Sequence, residues 1–199
     1  MALGVGIIGC GAIAKLHIDA FRQIDGVEIK AVSDVIPEVA SMTGKSLGVD
    51  FYQDYTELLS REDIGLVSIY TPSGLHQDAA VAAAKAGKNI IVEKPLEITV
   101  ERIDHIISAC RDKGVKLACI LNNRYREGNI FIKKAINEGR FGRIINANAY
   151  VRWYRKPEYY TRSNWRGTLA FDGGGALMNQ SIGCDCLRYF DISWISRHN

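Results

Sequence analysis

Short, continuous apolar segments alternate with helix-like segments over the first 121 residues, and this alternation constrains the fold more than any other feature. The apolar segments predict strands at residues 5–8, 27–33, 66–70, 89–92 and 115–121, and helical spacing occurs at residues 12–23, 78–86 and 100–113. Strands without polar alternation are typical of a sheet that is buried on both faces. Strands that alternate with helices favour parallel pairing, so we expect a doubly wound α/β domain.

The pattern changes after the last of these strands. The following segments predict a helix, a half-buried strand, a loop and a helix start, at residues 130–137, 144–153, 156–168 and 176–180. We therefore expect two units, with a boundary between residues 122 and 123. Residues 1–122 form the doubly wound domain, and residues 123–199 form the beginning of an α+β domain whose sheet is incomplete.

Composition excludes several classes of protein. The 199 residues carry 25 Lys and Arg against 22 Asp and Glu, and this near balance argues against nucleic-acid or membrane-surface binding. No apolar segment approaches the roughly 18 residues that a membrane span needs. Five cysteines, among them the C-x-C pair Cys184 and Cys186, have neither disulfide nor zinc-site spacing, so we predict no metal site, reduced thiols and a cytoplasmic location.

A glycine-rich turn follows the first strand and opens the first helix. Its sequence fits G-x-G-x-x-A, with Ala14 in the last position, and we assign it to cofactor binding: Gly9, Cys10, Gly11, Ala12 and Ile13. The first glycine permits the tight turn, and the second lets a pyrophosphate approach the backbone. The N–H groups at the helix N-terminus then bind the phosphates.

Asp34 ends the second strand, where the ribose diol of a dinucleotide lies in a Rossmann domain. Its carboxylate would repel a 2′-phosphate, so we predict NAD, with NADP less favoured. The apolar residues Val35 and Ile36 follow directly, and Lys45 is the nearest basic residue able to reach such a phosphate.

Glu93, Lys94 and Pro95 follow the strand at residues 89–92. Ligands of open α/β sheets bind outside the carboxyl ends of the strands, so a lysine here can hydrogen-bond a substrate hydroxyl or take its proton. A solvated lysine in a turn is the alternative interpretation of these three residues taken alone.

Four motifs in this order resemble the glucose-fructose oxidoreductase / inositol dehydrogenase / rhizopine catabolism (GFO/IDH/MocA) family. They are residues 9–14, Thr71-Pro72-Ser73-Gly74-Leu75-His76, the segment 86–95 that ends in Glu-Lys-Pro, and Gly173-Gly174-Gly175-Ala176-Leu177. The resemblance covers residues 5–182. It implies an NAD(P) domain, a second α/β domain with an open sheet, and hydride transfer between nicotinamide and a carbinol carbon of a sugar, nucleotide sugar or cyclitol.

The resemblance also implies site residues. The residues that it assigns to cofactor binding are Thr71, Pro72, Ser73, His76, Glu93, Lys94, Trp165 and Arg166. Ser73 stands in a position where Asn is common. It places at the substrate Lys94, Asn122, Arg124, Tyr125, Arg166 and Asn179, of which Lys94 and Asn179 are the catalytic candidates. For His76, an alternative is that it caps the following helix.

The family pattern breaks beyond the glycines. The expected catalytic histidine position holds Gly183, and Asp185 lies one residue before the expected acidic position, which holds Cys186. Two functions therefore stay open. The first is an NAD-dependent sugar oxidoreductase that is impaired by truncation, and the alternative is a dinucleotide-binding sensor or regulator without turnover.

Three further expectations concern the surface. His17 and His105 lie on predicted helices with exposed neighbours and are expected to be surface residues. The basic and aromatic residues 152–166 favour a mobile substrate-binding loop over nucleic-acid binding. An unprotected strand at residues 144–153 would promote self-association, so a homo-oligomer is expected.

Overall fold

A six-stranded parallel sheet in the order β3-β2-β1-β4-β5-β6 forms the centre of the fold. The computed structural model describes residues 2–148, 150, 152–161, 163–175 and 177–182. The strands are β1 (Leu3–Ile8), β2 (Val27–Ser33), β3 (Asp50–Tyr52), β4 (Leu66–Ile69), β5 (Asn89–Val92) and β6 (Leu117–Cys119). Each neighbouring pair is parallel, and the strand order reverses between β1 and β4, which confirms the predicted doubly wound Rossmann topology.

Helices cover both faces of this sheet. They are α1 (Ala12–Phe21), α2 (Pro37–Leu47), α3 (Tyr55–Leu59), α4 (His76–Lys85) and α5 (Val100–Lys113), followed by α6 (Glu127–Asn137) and α7 (Pro157–Thr161). On one face, Ala14 and Ile18 of α1 pack against β1 and β2. On the other face, the alanines of α4 pack with Ile106 of α5 against β4 and β5, so the continuous apolar strands are buried on both sides.

The predicted elements of the first domain are confirmed within a few residues at their ends. The sequence did not predict β3 and α3, because β3 has only three residues, with Phe51 42% exposed at the edge of the sheet, and α3 has only five. Neither element therefore shows the apolar periodicity that identifies the others.

The strand predicted at residues 144–153 is wrong for the part of it that the structure describes. Residues 144–148 form no strand there, and Ile145 is 85% exposed. A half-buried strand needs a neighbouring strand and a packed face, and the described residues after α6 provide neither. The self-association expected from this strand edge loses its basis.

Three other predictions in this part need adjustment. The helix at residues 130–137 is confirmed and begins earlier, as α6. The short helix α7 interrupts the segment predicted as a loop. The helix start predicted after the three glycines is a π-helical turn, Leu177–Ser181.

The glycine-rich segment, residues 170–175, packs against the loop that follows β4. The Gly74 amide donates a hydrogen bond of 2.9 Å to the Phe171 carbonyl. A Cβ at Gly74 would overlap the Ala170 carbonyl oxygen, and one at Gly173, where φ is +75°, would overlap Ile98. This contact brings the residues that follow it, including Asn179, to the carboxyl edge of the sheet.

A buried carboxylate, Glu97, holds the turn between β5 and α5. Its oxygens accept from the backbone amides of Gln77 (3.0 Å) and Ile98 (2.8 Å) and from Nε of Arg102 (3.0 Å). The side chain is fully buried, whereas Arg102 is about one-third exposed. The carboxylate thus satisfies the donors of three elements that surround the Glu-Lys-Pro turn.

We expect Glu97→Ala to lower the free energy of unfolding by about 3 kcal/mol, because it leaves buried donors without their acceptor. Urea denaturation measures this change. Glu101→Ala is the control, because Glu101 is exposed in the first turn of α5 and its loss should cost about 1 kcal/mol or less. Equal effects of the two substitutions would contradict the role of Glu97.

No helix among the described residues is both long enough and apolar enough to cross a membrane. The expectations for Gly183, Cys184, Asp185 and Cys186 lie outside the described residues.

Candidate coenzyme and active site

The glycine-rich turn between β1 and α1 leaves open space at the helix N-terminus. Gly9 has φ of +91°, and a Cβ there would lie 2.8 Å from the Tyr70 carbonyl carbon, so the turn requires glycine. Gly11 is the N-cap of α1, and no side chain caps this helix. A Cβ at Gly11 would meet no protein atom within 4 Å, so the space beside the N-terminal N–H groups is available to an anion.

Asp34 lies beside this turn, as the sequence predicts. Its two oxygens accept hydrogen bonds from the backbone amides of Cys10 (2.8 Å) and Ile36 (2.9 Å). Burial, with a further contribution from the Asp34 charge, raises the pKa of Cys10 to about 11. The Cys10 thiol is therefore protonated at neutral pH, which fits a packing residue rather than a nucleophile.

The loop after β4 forms the next wall of the site. Ser73 is buried, and the buried Oγ1 of Thr71 has no hydrogen-bond partner in the described structure. His76 is only 1% exposed, and its ring nitrogens lie 2.9 Å from the carbonyl oxygens of Thr71 and Pro95. Burial lowers the pKa of His76. A neutral ring can donate to only one of the two carbonyls, and it packs between this loop and the Glu-Lys-Pro turn.

The alternative that His76 caps α4 is wrong. The helix begins at His76 itself, Leu75 occupies the N-cap, and no side chain caps the first turn. Its role as a contact to a bound cofactor stays a prediction, as does that of Pro72 in the same loop.

Glu93 and Lys94 follow β5 at the same edge of the sheet. One Glu93 oxygen lies 2.8 Å from Nε2 of His17, and the other accepts from the Lys94 backbone amide at 2.9 Å. The His17 ring stacks on Tyr70 with centroids 4.5 Å apart. The expectation that His17 is a surface residue is therefore wrong, whereas His105 is exposed as expected.

The sequence contained a signal for His17 that the exposed neighbours obscured. It shares the helical spacing of Ala14 and Ile18, which are both buried against the sheet. A histidine on this face is placed towards the strand ends, where it meets Glu93 rather than solvent.

Lys94 is connected to the glycine-rich segment through Asn179. The Lys94 ammonium group donates to the Asn179 backbone carbonyl at 2.6 Å. The Asn179 side-chain amide donates to the buried carboxylate of Asp172, which also accepts from the Gly167 amide at 2.9 Å. The structure thus brings the two catalytic candidates together, and it adds Asp172, which sequence reasoning missed.

Trp165 and Arg166 lie near Asn179 and contact it indirectly, through Tyr159 of α7. The Arg166 guanidinium lies 4.6 Å from the Tyr159 ring centroid and 4.9 Å from that of Trp165. The Gln180 amide connects the Tyr159 hydroxyl (3.4 Å) to the Asn179 side chain (3.0 Å). A cavity of about 160 Å³ opens here, lined in part by Tyr160, Asp172, Asn179 and Gln180.

Three predicted substrate residues follow β6, the strand that pairs with β5. Asn122, Arg124 and Tyr125 form a 3-10 turn after β6, where Asn122 is exposed and Tyr125 is 80% exposed. Arg124 faces Ile130 and Lys134 of α6. None of the described contacts connects them to Lys94, so their part in substrate binding stays a prediction.

These features fit a dinucleotide with its diphosphate at the N-terminus of α1. The open space at Gly11 and the uncapped first turn can accept the diphosphate. The fixed Asp34 carboxylate can bind the ribose diol. The unpaired Thr71 hydroxyl offers a further polar contact along the same edge. Among the described residues, no group of three or more His, Cys, Asp or Glu could hold a metal ion.

Comparison with known sequences decides the family. Residues 3–120 match the family described as an oxidoreductase family with an NAD-binding Rossmann fold. The chain belongs to the GFO/IDH/MocA family. Residues 130–190 also match the GFO/IDH/MocA C-terminal domain, so both parts of the chain carry family sequence and the resemblance drawn from the motifs is confirmed.

Relatives within the GFO/IDH/MocA family act on or bind sugars. Levoglucosan dehydrogenase from Pseudarthrobacter phenanthrenivorans is 32% identical over 186 residues, which cover 88% of this chain and 47% of the relative. The WlbA dehydrogenase from Bordetella pertussis, solved with NADH and UDP-GlcNAcA, superposes with a TM-score of 0.89 at 34% identity, covering 95% of this chain and 58% of that one.

A more distant GFO/IDH/MocA structure has the same fold. Scyllo-inositol dehydrogenase from Lactobacillus casei, solved with NAD(H) and scyllo-inositol, has a TM-score of 0.67 at 26% identity over 71% of this chain and 43% of that one. The present chain thus spans about half the length of these relatives.

Proposed function

We propose that this chain belongs to an NAD-dependent oxidoreductase that transfers hydride between nicotinamide and a hydroxyl-bearing carbon of a sugar, nucleotide sugar or cyclitol. One observation carries the proposal: the open N-terminus of α1 and the Lys94–Asn179 contact lie along one carboxyl edge of the sheet. A coenzyme whose diphosphate lies at the N-terminus of α1 extends along this edge towards Lys94 and Asn179.

Different residues serve substrate binding and proton transfer. Bound nicotinamide supplies the hydride acceptor or donor. Lys94 holds the substrate oxygen and exchanges its proton, since the ammonium group is presented at the strand end by backbone and side-chain hydrogen bonds. Asn179 orients the sugar from the opposite side, and its own amide is fixed by Asp172.

Asp34 supports NAD as the coenzyme rather than NADP. Both of its oxygens are held by backbone amides, which fixes a negative charge where a 2′-phosphate would lie. We expect Asp34→Ala to weaken NADH binding about 10-fold or more, because a charged hydrogen bond to ribose is lost, and to weaken the preference for NADH over NADPH. Fluorescence titration with each coenzyme measures both changes.

Asp25→Ala is the matched control for Asp34→Ala, because Asp25 is an exposed carboxylate in the turn before β2. It should bind NADH like the parent. Equal affinities in all three proteins would contradict the assignment of Asp34.

Arg155 and Arg166 support an anionic substrate, such as a nucleotide-linked, phosphorylated or carboxylated sugar. Their guanidinium groups lie 5.2 and 4.6 Å from the Tyr159 ring centroid, and neither pairs with a carboxylate among the described residues. Arginine binds phosphate and carboxylate groups by paired hydrogen bonds. The WlbA relative, solved with UDP-GlcNAcA, supports the nucleotide-sugar class.

A dinucleotide-binding protein without turnover is the second candidate function. Gly183 at the expected histidine position favours it, because loss of an acid–base group typically costs roughly 10²–10⁴-fold in rate. In either case we assign residues 1–122 to coenzyme binding and residues 123–199 to substrate binding. A cytoplasmic location accords with Cys10 and Cys110, which form no disulfide among the described residues.

One experiment separates the two functions. The protein is titrated with NADH by fluorescence and then incubated with NAD and a panel of sugars, nucleotide sugars and cyclitols while absorbance at 340 nm is followed. Binding with turnover of one substrate class supports the oxidoreductase. Binding without turnover of any of them supports the sensor, and the absence of NADH binding contradicts both.

A further inference from the structure

Three side chains from three different elements meet beneath the Glu-Lys-Pro turn. His17 comes from α1, Tyr70 follows β4, and Glu93 follows β5. The His17 ring lies almost parallel to the Tyr70 ring, at an interplanar angle of 14°, and its Nε2 lies 2.8 Å from Glu93 Oε1. The Tyr70 hydroxyl accepts a hydrogen bond from Ser68, so within the stacked pair it is His17 that contacts Glu93.

Both oxygens of Glu93 are engaged by this arrangement. Oε1 meets His17, and Oε2 accepts the backbone amide of Lys94 at 2.9 Å. The side chains of His17 and Glu93 are 18% and 13% exposed, so water competes little for this contact. Because a carboxylate with two fixed partners cannot rotate freely, the position of the Lys94 backbone depends on where His17 holds Glu93.

Lys94 is fixed at its other end by a separate contact. Its Nζ donates to the Asn179 carbonyl at 2.6 Å. The Glu93 contact thus holds the Lys94 backbone, and the Asn179 contact holds its ammonium group. If the Glu93 contact alone is lost, the ammonium group stays bound to Asn179 while the backbone of the turn can shift.

We propose that His17 is a positioning residue that acts through Glu93 to hold Lys94 in place for the reaction. The proposal rests on the proposed function, since it assigns Lys94 a role in the chemistry. His17 lies on the same helix that offers its N-terminus to the diphosphate, so the coenzyme helix and Lys94 are joined by one hydrogen-bonded path.

Two substitutions separate the hydrogen bond from the ring stack. His17→Phe keeps a ring against Tyr70 and removes the donor to Glu93, whereas His17→Gln removes the ring and places an amide within reach of Glu93. We expect His17→Phe to lower kcat by roughly 10- to 100-fold with a small change in NADH affinity, and His17→Gln to restore most of the loss. His105→Phe and His105→Gln are the matched controls, because His105 is exposed on α5.

A readout other than turnover keeps this test independent of the proposed function. Lysine amines are methylated reductively with a ¹³C label, and the Lys94 signal is assigned by its absence in Lys94→Arg. The Lys94 signal should move in His17→Phe and stay near the parent position in His17→Gln and in both His105 variants. Thermal unfolding of each variant shows that the protein is folded.

A double-mutant cycle tests whether the effect passes through Glu93. In a Glu93→Gln background, His17→Phe should change the Lys94 signal and kcat much less than in the parent. Additive effects would overturn the proposal, as would a His17→Phe protein with the parent's Lys94 signal, or equal losses in the Phe and Gln variants. If NADH binding or turnover is absent in the parent, the proposed function fails, while the Lys94 signal still decides whether His17 positions the lysine.

Discussion

Gly11→Asn should raise the dissociation constant for NADH by about 100-fold or more while the protein stays folded. Gly11 is the N-cap of α1, and Asn is among the best N-cap residues, so the substitution is compatible with the helix. The new side chain fills the space that no protein atom occupies and takes the first-turn N–H groups that would hold the diphosphate. Fluorescence titration and thermal unfolding measure the two effects.

Gly128→Asn is the control for this change. Gly128 lies near the start of α6, has open space around its Cβ position and is remote from the glycine-rich turn. It should bind NADH with the parent's affinity. A Gly11→Asn protein that binds NADH as tightly as the control would show that the diphosphate does not lie at α1.

Lys94→Met should lower kcat by roughly 10²–10⁴-fold with the substrate identified by the panel, because it removes the group that exchanges the hydroxyl proton. The aliphatic length of the side chain is kept, so packing beneath Asn179 is largely preserved. NADH affinity should change by less than about 10-fold, since the diphosphate and ribose contacts are untouched. Steady-state kinetics at 340 nm and NADH titration measure the two quantities.

Lys85→Met is the matched control, because Lys85 is exposed in the last turn of α4. It should retain the parent's kcat. If Lys94→Met also retained it, proton exchange would have to be assigned to another group.

The sequence was sufficient to predict the local structure around the glycine-rich turn. Continuous apolar strands and the glycine turn predict the sheet, the position of Gly9–Gly11 and the carboxylate at the end of β2, because these depend on local chain geometry and on strand order. Lys94 and Asn179 were predicted from the family motifs, and the structure adds the contact that joins them.

Residues that act through long-range contacts could not be predicted in the same way. Glu97 is a charged residue in a turn, which suggests solvent exposure, yet it is buried because donors from α4 and α5 converge on it. Asp172 was missed for another reason, since its partners at 167 and 179 are near in sequence and surround it only because the segment folds back on itself. The strand expected at residues 144–153 failed for the opposite reason, because its pattern was local but its pairing partner was not available in the described chain.

The close packing of Gly74 against residues 170–171 limits where this chain can be recombined with its relatives. A chimera joined after residue 122 would place a foreign segment in a gap shaped for this one, and it would separate Lys94 from the carbonyl that holds its tip. Crossover points beyond residue 182 keep Lys94 and Asn179 from a single parent. If Arg155 and Arg166 bind the substrate as proposed, a change of specificity is better attempted by substitutions there than by swapping domains.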